Sequence, residues 1–434
     1  MPPPDRRAAR AALLSDRNIF WLMAGGAVSM LGDQFTLIAL PWLVLKMTGD
    51  TVVLGVVLAL VSVPRALFIL VGGALVDRYS PKGVLMLTKH VSTLLLGALA
   101  AGVFTGALTL PMVYALALGI GLASAFSIPS ATSMLPHVCR PEQLPAANGM
   151  MMGMRQMSMF LGPLLAGGLI ALFGDGADHD MADAKGIAIA FAFDAFSFAL
   201  SAWTLAKVRM REIARPPHAT HTAVWHSIAQ ALRHVGADAQ LRTCYLYWAA
   251  VAVLVLGPLQ IALPVLASTR PELGASALGI MAGAHGAGTL AGMVVAGARP
   301  NLRIGTLGLT VLVFDVLIGL LFMPLGHIGS AWQGAALLAL VGVLGGSMQV
   351  AIFTWLQRRV PTAMIGRAMS LFMFIFMGLV PMASAATGWV LQHVNLAQLF
   401  TGCGVLLALV ALVAGVATPM RSVNDPAAAA AFGK

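Results

Sequence analysis

The chain has 434 residues, of which 59% are hydrophobic and only 10% are charged, with a formal net charge of +10. A soluble domain carries about 25% charged residues, so this composition excludes a water-soluble fold and indicates a chain that lies in a lipid bilayer. The basic residues are spread over many short segments, which excludes a nucleic-acid-binding face, and the distant Cys139, Cys244 and Cys403 form no metal or disulfide pattern.

The chain begins with a polar, basic tail, residues 1–17, which we expect in the cytoplasm. The first apolar run is too long for a cleaved signal peptide and is interpreted as a signal anchor. Further apolar runs of membrane-spanning length follow. They predict a first helical bundle over 18–207, with helices at 18–46, 52–76, 84–104, 109–131, 143–173 and 185–207.

Residues 208–240 form a predicted cytoplasmic central loop. Within it, Trp225, Ile228, Ala229 and Leu232 share a helical face, which predicts an amphipathic helix on the inner membrane surface; a plain linker is the alternative. A second bundle is predicted over 241–418, followed by a cytoplasmic tail, 419–434. Its helices are predicted at 241–267, 274–297, 303–324, 331–356, 362–391 and 397–418. The predicted fold class is therefore an all-α membrane protein with twelve transmembrane helices.

The distribution of basic residues predicts the orientation. With both termini in the cytoplasm, all 26 Lys and Arg residues except Lys46, Arg65, Lys185 and Arg270 are assigned to inside loops and tails, Lys89 and Arg155 included. The longest outer loop, 174–185, is acidic. This bias follows the positive-inside rule. It predicts a multi-pass protein of the bacterial inner (plasma) membrane.

A polar hairpin between the second and third helices carries Gly73, Asp77, Arg78 and Lys82. It resembles the Gly-x-Leu-x-Asp-Arg-x-Gly loop of the major facilitator superfamily, although Ser80 and Pro81 depart from that pattern. The resemblance implies two six-helix pseudo-repeats that alternate access to a midplane site. It also implies that these four residues form a conformational-switch motif in which Asp77 contacts the start of helix eleven.

The fifth helix carries a second pattern, made of Gly153, Gly162, Pro163 and Gly167. It resembles the glycine-proline motif of drug antiporters, with ordinary small-residue packing as the alternative. The segments 31–41 and 140–148 also resemble efflux members. Together these features resemble the drug and siderophore efflux branch of the superfamily, which includes bacterial macrolide exporters and the enterobactin exporter.

Three carboxylates lie near the middle of predicted spans: Asp33, Asp194 and Asp315. A charged group there is costly and is often functional. In the superfamily the first helix lines the central cavity, so Asp33 is the predicted proton-coupling residue, with a hydrogen-bonded structural carboxyl as the alternative. It shares a helical face with Gly25, Ser29, Gly32 and Thr36. Possible substrate-cavity residues are Ser29, Thr36, Gln260, Gln349 and Phe353. Possible charge-relay or structural residues are Arg65, Arg155, Asp194, His285 and Asp315.

The predicted function is secondary active transport. We expect export of a largely apolar small molecule, drug-like or siderophore-like, by proton antiport and alternating access, as in a multidrug efflux antiporter. The alternatives are a lipid or lysophospholipid flippase, a metabolite uniporter, or, in another class, a non-transporting receptor or channel-like protein. The sequence contains no nucleophile–base pattern, so we do not expect an enzyme. It also contains no phosphate-binding GxxxxGK[ST] loop, which argues against an ATP-driven pump. The expected partners are the substrate, protons and the bilayer, with no cofactor, no metal and no nucleic acid, and we expect a monomer.

Overall fold

The computed structural model describes residues 16–78, 80–174, 184–211, 233, 235–270, 272–299, 303–360 and 365–424. Within residues 69–78, 141, 145, 365–367 and 370 it describes the backbone only. The predicted amphipathic helix around Trp225 and the acidic outer segment around Asp180 lie outside the described residues.

Twelve of the described helices are long and apolar enough to cross a membrane. The predicted all-α membrane fold and its twelve spans are thereby confirmed. The first six helices are α1 (Arg17–Thr48), α2 (Thr51–Arg78), α3 (Pro81–Phe104), α4 (Leu110–Val138), α5 (Leu144–Phe173) and α6 (Lys185–Lys207).

Two of the remaining six helices contain a π-helical turn. In α7 it is Ala252–Leu256, between Ala239–Val251 and Gly257–Thr269; in α11 it is Ile375–Leu379, between Ile365–Phe374 and Val380–Val390. The others are α8 (Gly274–Ala298), α9 (Leu307–Phe322), α10 (Ala331–Arg359) and α12 (Leu396–Ala417).

Helix ends follow local capping chemistry. The Asp16 carboxylate accepts a hydrogen bond from the Asn18 N–H at 2.9 Å and so caps α1. Gly49 ends α1 with φ 62°, a left-handed conformation that favours glycine. α4 runs past its predicted end at 131 to Val138, and within this stretch the Thr132 hydroxyl bonds back to the Pro129 carbonyl at 2.9 Å.

Many large apolar side chains point outward. Leu94 is 73% exposed, Leu172 82% and Val416 79%. Water would make such a surface unfavourable, whereas hydrocarbon solvates it without cost. The helices therefore require the bilayer as their environment.

The chain forms two compact units. Of the described residues, unit 1 comprises those within 16–50, 60–211 and 274–279, and unit 2 those within 51–59, 233–273 and 280–424. In unit 1, α1 packs on α5 and α6, and α3 packs on α4 and α6. In unit 2, α9 packs on α12 and α7 packs on α11.

The two π-helical turns lie in the packed pair α7 and α11. Each is followed two residues later by a proline, Pro258 in α7 and Pro381 in α11. Proline has no N–H, so it interrupts the i→i−4 hydrogen-bond ladder of the helix. The interruption makes room for a wider turn in the backbone. The Ser384 hydroxyl lies 3.1 Å from the Gly257 carbonyl oxygen and joins the two helices at this level.

Candidate functional site

The three mid-span carboxylates differ in how much of their side chain is exposed at the protein surface. The Asp33 side chain on α1 is exposed. Asp194 on α6 is 1% exposed and Asp315 on α9 is 0% exposed. Of these three residues, Asp33 is the one that is exposed, and positively charged groups of unit 1 act on it.

Lys89 is the strongest of the cations that act electrostatically on Asp33, ahead of Arg65 and Arg155. It lies on α3 and is 7% exposed. Its ammonium group donates a hydrogen bond to Ser29 Oγ on α1 at 3.3 Å and lies 5.3 Å from the centre of the Phe198 ring on α6. The apolar part of the Lys89 side chain is thus buried while its charge is directed at α1.

The assignment of Lys89 and Arg155 to inside loops is wrong, since both residues lie within helices, α3 and α5. A count of cations near predicted helix ends cannot distinguish a loop residue from one that lies two turns inside a span. Lys89 tolerates its burial because hydroxyl, aromatic and carboxylate groups surround it. Sequence reasoning missed it as a functional candidate, although a lone lysine within the apolar run 84–104 was the available signal.

Asp194 is held between two helices of unit 1. Its Oδ2 accepts a hydrogen bond from the Thr36 hydroxyl of α1 at 2.5 Å, and its Oδ1 lies 3.1 Å from the Ser197 hydroxyl one turn along α6. The approach of α1 to α6 depends on Gly32, since a Cβ atom there would overlap Ser197 Oγ and Asp194 Oδ1. The buried carboxylate is therefore provided with donors from both helices.

Ser29 and Thr36, predicted as cavity residues, engage these buried groups. Ser29 is 7% exposed and accepts the Lys89 hydrogen bond, and Thr36 donates to Asp194. The structure thus places both at helix contacts inside unit 1, and a substrate-lining role for them stays a prediction.

Arg65 on α2 is half-buried, and its Nε has no hydrogen-bond partner in the described structure. Arg155 on α5 is exposed. Both act on Asp33 through their charge. The electrostatic cluster of unit 1 thus comprises two carboxylates, one buried lysine and two arginines of greater exposure.

The glycine-proline pattern of α5 lies at close helix contacts. A Cβ atom at Gly167 would lie 2.7 Å from the Ala275 carbonyl oxygen and from Gly279 Cα on α8, within unit 1. Gly162 has equally little room, against Gln34 of α1. Gly153 has no neighbouring atom at its Cβ position and instead borders open space.

That open space is a cavity of about 620 Å³ between α1 and α5, entirely within unit 1. Its volume lies in the range of roughly 300–1,000 Å³ typical of small-molecule sites. The side chains that line it are mostly apolar, with no charged residue among them, and methionine contributes three. They are Ala27, Leu31, Gly149, Met150, Gly153, Met154, Met157, Ser158 and Leu161.

The hairpin motif is described in part. Gly73, Asp77 and Arg78 lie in the last turns of α2, and their side chains are outside the description. The Lys82 ammonium group donates to the carbonyl oxygens of Ala206 at 3.1 Å and Val208 at 2.7 Å. It therefore caps the C-terminal end of α6, where a cation is favoured by the helix dipole.

In unit 2, Asp315 Oδ2 accepts a hydrogen bond from the Tyr247 hydroxyl of α7 at 2.8 Å, and its Oδ1 is buried without a hydrogen-bond partner in the described structure. Sequence reasoning missed Tyr247, because only the fold brings α7 and α9 together here. His285 is half-buried on α8, with Nδ1 3.3 Å from the Leu338 carbonyl oxygen of α10. These placements are compatible with the structural alternative for both residues.

The predicted cavity residues of unit 2 are separated along the fold. Gln260 is exposed on α7, and its Oε1 lies 3.1 Å from the Ser384 hydroxyl. Gln349 is exposed on α10, whereas Phe353 is half-buried, with its ring centre 5.0 Å from that of Phe372. Among the residues that the structure describes, no group of three His, Cys, Asp or Glu side chains is arranged to hold a metal ion.

Comparison with known proteins identifies the family. A sequence profile of the Major Facilitator Superfamily matches residues 22–385. The chain is also 23% identical over 419 residues to y4rN of Sinorhizobium fredii, described as an uncharacterized MFS-type transporter, with 94% of this chain and 96% of that protein covered.

Solved structures match the fold over nearly their whole length. The D-xylose-proton symporter superposes with a TM-score of 0.70 at 12% identity, covering 93% of this chain and 99% of that one. A bacterial homologue of the human lysosomal transporter Spinster gives a TM-score of 0.65 at 14% identity, covering 95% and 96%. The chain therefore belongs to the Major Facilitator Superfamily and is a multi-pass secondary transporter, not an enzyme.

Proposed function

We propose that this transporter exports a largely apolar small molecule across the bacterial inner membrane in exchange for protons, with Asp33 as the residue that carries the exchanged proton. The supporting observation is the contrast in access: Asp33 is exposed, whereas Asp194 and Asp315 are 1% and 0% exposed. A coupling carboxylate must exchange its proton with water, so a fully enclosed group is a poorer candidate.

The charges around Asp33 suit a group that gains and loses a proton. Lys89, Arg65 and Arg155 stabilise its ionised form with their positive charge. In our scheme, protonation of Asp33 from outside favours the inward-facing state. Substrate bound from the cytoplasm then displaces the proton, and the halves rock to release the substrate outside.

The α1–α5 cavity supports an apolar substrate. Three methionines, Met150, Met154 and Met157, line it together with small residues. Methionine side chains are flexible and polarizable and adapt to ligands of different shape. Drug-like or siderophore-like molecules with a large apolar surface fit such a lining, whereas a sugar would leave its hydroxyl groups without partners.

The hairpin motif supports the conformational part of the scheme by resemblance. We propose that Asp77 stabilises the outward-facing state through the positively charged start of α11, near Arg367. Asp77→Asn is then expected to shift the conformational balance inward and to slow turnover. Unchanged transport together with unchanged labelling of inside cysteine reporters would contradict this role.

The coupling experiment uses purified protein in liposomes with an imposed pH gradient. Erythromycin and a rhodamine dye serve as probes, and wild type is compared with Asp33→Asn and Asp315→Asn at matched protein levels. Asp33→Asn should lose gradient-driven accumulation but retain downhill exchange, because asparagine keeps the shape and hydrogen bonding but cannot titrate. Asp315→Asn should mainly lower expression.

The outcomes separate the alternatives. Full gradient-driven accumulation by Asp33→Asn would overturn the coupling role. Saturable wild-type transport that ignores the pH gradient would instead identify a flippase or uniporter. Absence of saturable transport for either probe and for a fluorescent lysophospholipid would contradict the proposed class of substrate.

A further inference from the structure

Lys89 is a buried cation with two carboxylates as its electrostatic partners. Asp33 acts on it most strongly and Asp194 next. Within the described structure, its ammonium group donates one hydrogen bond, to Ser29 Oγ at 3.3 Å, and that hydroxyl is neutral. A lysine that is 7% exposed on a membrane helix needs compensation of its charge. The two carboxylates are its available counter-ions.

One face of α1 brings these three groups together. Lys89 reaches α1 at Ser29, one turn before Asp33. Asp194 reaches α1 at Thr36, about one turn after Asp33, and also lies against Gly32. At about 1.5 Å of rise per residue, Asp33 lies roughly 6 Å from the level of Ser29 and 4.5 Å from the level of Thr36. Asp33 is therefore positioned between the lysine and the second carboxylate.

Charge balance limits the states that this arrangement can adopt. Among Lys89, Asp33 and Asp194 alone, two ionised carboxylates leave one uncompensated negative charge, which Arg65 and Arg155 offset only from outside these three residues. One proton on either carboxylate makes the three residues neutral by themselves. Asp194 is enclosed and is supplied with donors by Thr36 and Ser197, whereas Asp33 is exposed. The proton is thus exchanged at Asp33, while the opposite charges of Asp194 and Lys89 still balance each other.

We infer that Lys89, Asp33 and Asp194 form one proton-binding unit, in which Lys89 is the lasting counter-ion of Asp194 and becomes a shared counter-ion when Asp33 is deprotonated. The proton comes from water to a carboxylate oxygen of Asp33 and returns to water on release, and Lys89 keeps its own proton throughout. Among the described residues, Arg65 of α2 and Arg155 of α5 also act on the unit, both through Asp33.

This unit deepens the proposed function, since it names the groups that set the proton affinity of Asp33. In this unit, Asp194 and Lys89 change the proton affinity of Asp33 in opposite directions. An Asp33 that titrates alone would respond to neither of them. Removing the neighbouring negative charge in Asp194→Asn should weaken proton binding at Asp33. Removing the positive charge in Lys89→Gln should strengthen it.

The test is a pH titration of the full-length protein in lipid nanodiscs by infrared difference spectroscopy, which detects the carbonyl stretch of protonated carboxylic acids. The probe is the proton itself, so no substrate is needed. The Asp33 signal is the band that disappears in Asp33→Asn. We expect its midpoint to fall by about one pH unit or more in Asp194→Asn and to rise by about as much in Lys89→Gln, each a tenfold change in proton affinity.

Two further variants make the titration decisive. Lys207→Gln removes the same charge from unit 1 at the far end of α6, thirteen residues and roughly 20 Å from Asp194, and should leave the midpoint unchanged. The double variant Lys89→Gln/Asp194→Asn should titrate near wild type, because the two effects oppose each other. It also removes both buried partners together, so it provides the comparison if Lys89→Gln alone does not fold.

The proposed unit would be contradicted if Lys89→Gln and Asp194→Asn titrated at the wild-type midpoint, or if both shifted the midpoint in the same direction. A wild type without any titrating band that depends on Asp33 would also contradict it. These results are separate from the transport assay. Gradient-driven accumulation retained by Asp33→Asn would refute the proposed coupling even where the opposite midpoint shifts are observed.

Discussion

Thr36 on α1 donates its hydroxyl hydrogen to Asp194 on α6, with the two oxygens 2.5 Å apart. The contact lies one turn from Gly32, where a Cβ atom would overlap Ser197 Oγ of α6. It fixes the first helix of unit 1 to the sixth at the level of the exposed Asp33. The position of the candidate coupling residue therefore depends on a hydroxyl–carboxylate bond that involves neither the substrate nor Asp33 itself.

Thr36→Val should destabilise unit 1. Valine keeps the shape of threonine but removes the donor, which leaves Asp194 buried with one hydrogen bond fewer, at a cost of about 1–3 kcal/mol. Thr36→Ser keeps the hydroxyl and should retain most of the stability. The measurement is the thermal unfolding midpoint in detergent, and equal midpoints for the valine and serine variants would show that the bond contributes nothing.

Asp238 caps the start of α7 and pairs with Arg359, with Oδ2 2.8 Å from the guanidinium nitrogen. Burial alone would raise the pKa of its carboxyl, but hydrogen bonds from the Leu241 N–H and from Arg359 outweigh it and hold the pKa below its ordinary value. A lowered pKa means that the folded state is stabilised above the ordinary value, and that this contribution is lost as the pH falls through the folded-state pKa.

The stability difference between wild type and Asp238→Asn should therefore shrink below about pH 4. Asparagine keeps the capping oxygen but has no charge to lose. Asp238→Ala removes the cap as well and should cost about 1 kcal/mol more at neutral pH. Thermal unfolding of the three proteins over an acid series measures both effects. A wild-type advantage over the asparagine variant that stays constant through the series would contradict the charge contribution.

Gly167→Ala should disrupt the contact of α5 with the start of α8. The added Cβ would lie 2.7 Å from the Ala275 carbonyl oxygen and from Gly279 Cα, so a backbone has to move, at about 1–3 kcal/mol. The neighbouring Gly168 has no atom within 4 Å of its Cβ position and provides the matched control. Gly168→Ala should be neutral or slightly stabilising, because alanine favours helix. Equal unfolding midpoints for both variants would refute the close contact.

Cysteine reporters at Asp180 and His218 should react from opposite sides of the membrane, Asp180 from outside and His218 from the cytoplasm. The native Cys139, Cys244 and Cys403 are buried and should contribute little background. Labelling of intact cells with an impermeant maleimide, before and after lysis, reads the result. Reaction of both reporters from one side would contradict the predicted orientation.

The twelve spans were predictable because the signal for each is local. A helix that crosses hydrocarbon must satisfy its backbone internally and present apolar side chains, so length and hydropathy alone identify it. Helix ends were less predictable. The predicted end of α4 is 131, yet the helix continues to Val138, and the Thr132 hydroxyl bonds to the helix backbone.

The charge cluster could be predicted only in part. Asp33 and Asp194 stand out as carboxylates within apolar runs, but their relation to Lys89 depends on which faces of α1, α3 and α6 meet. That adjacency is a tertiary property, determined by contacts such as Gly32 against Ser197 and not by spacing along the chain. The same reason explains Tyr247, whose partner Asp315 lies 68 residues away.

The π-helical turns of α7 and α11 have a consequence for how side chains are oriented along those spans. Each turn accommodates one residue more than a regular helix, so every later side chain is rotated by about 100° from the position that a regular helix gives it. A helical wheel drawn through 239–269 therefore assigns Gln260 to the wrong azimuth. Deleting a single residue such as Leu254 would restore a regular ladder and leave the hydropathy almost unchanged, yet it would swing Gln260 away from Ser384. In these two helices, inserting or deleting one residue before a position changes the direction in which its side chain faces. Such a change alters the environment of the side chain as much as a substitution would.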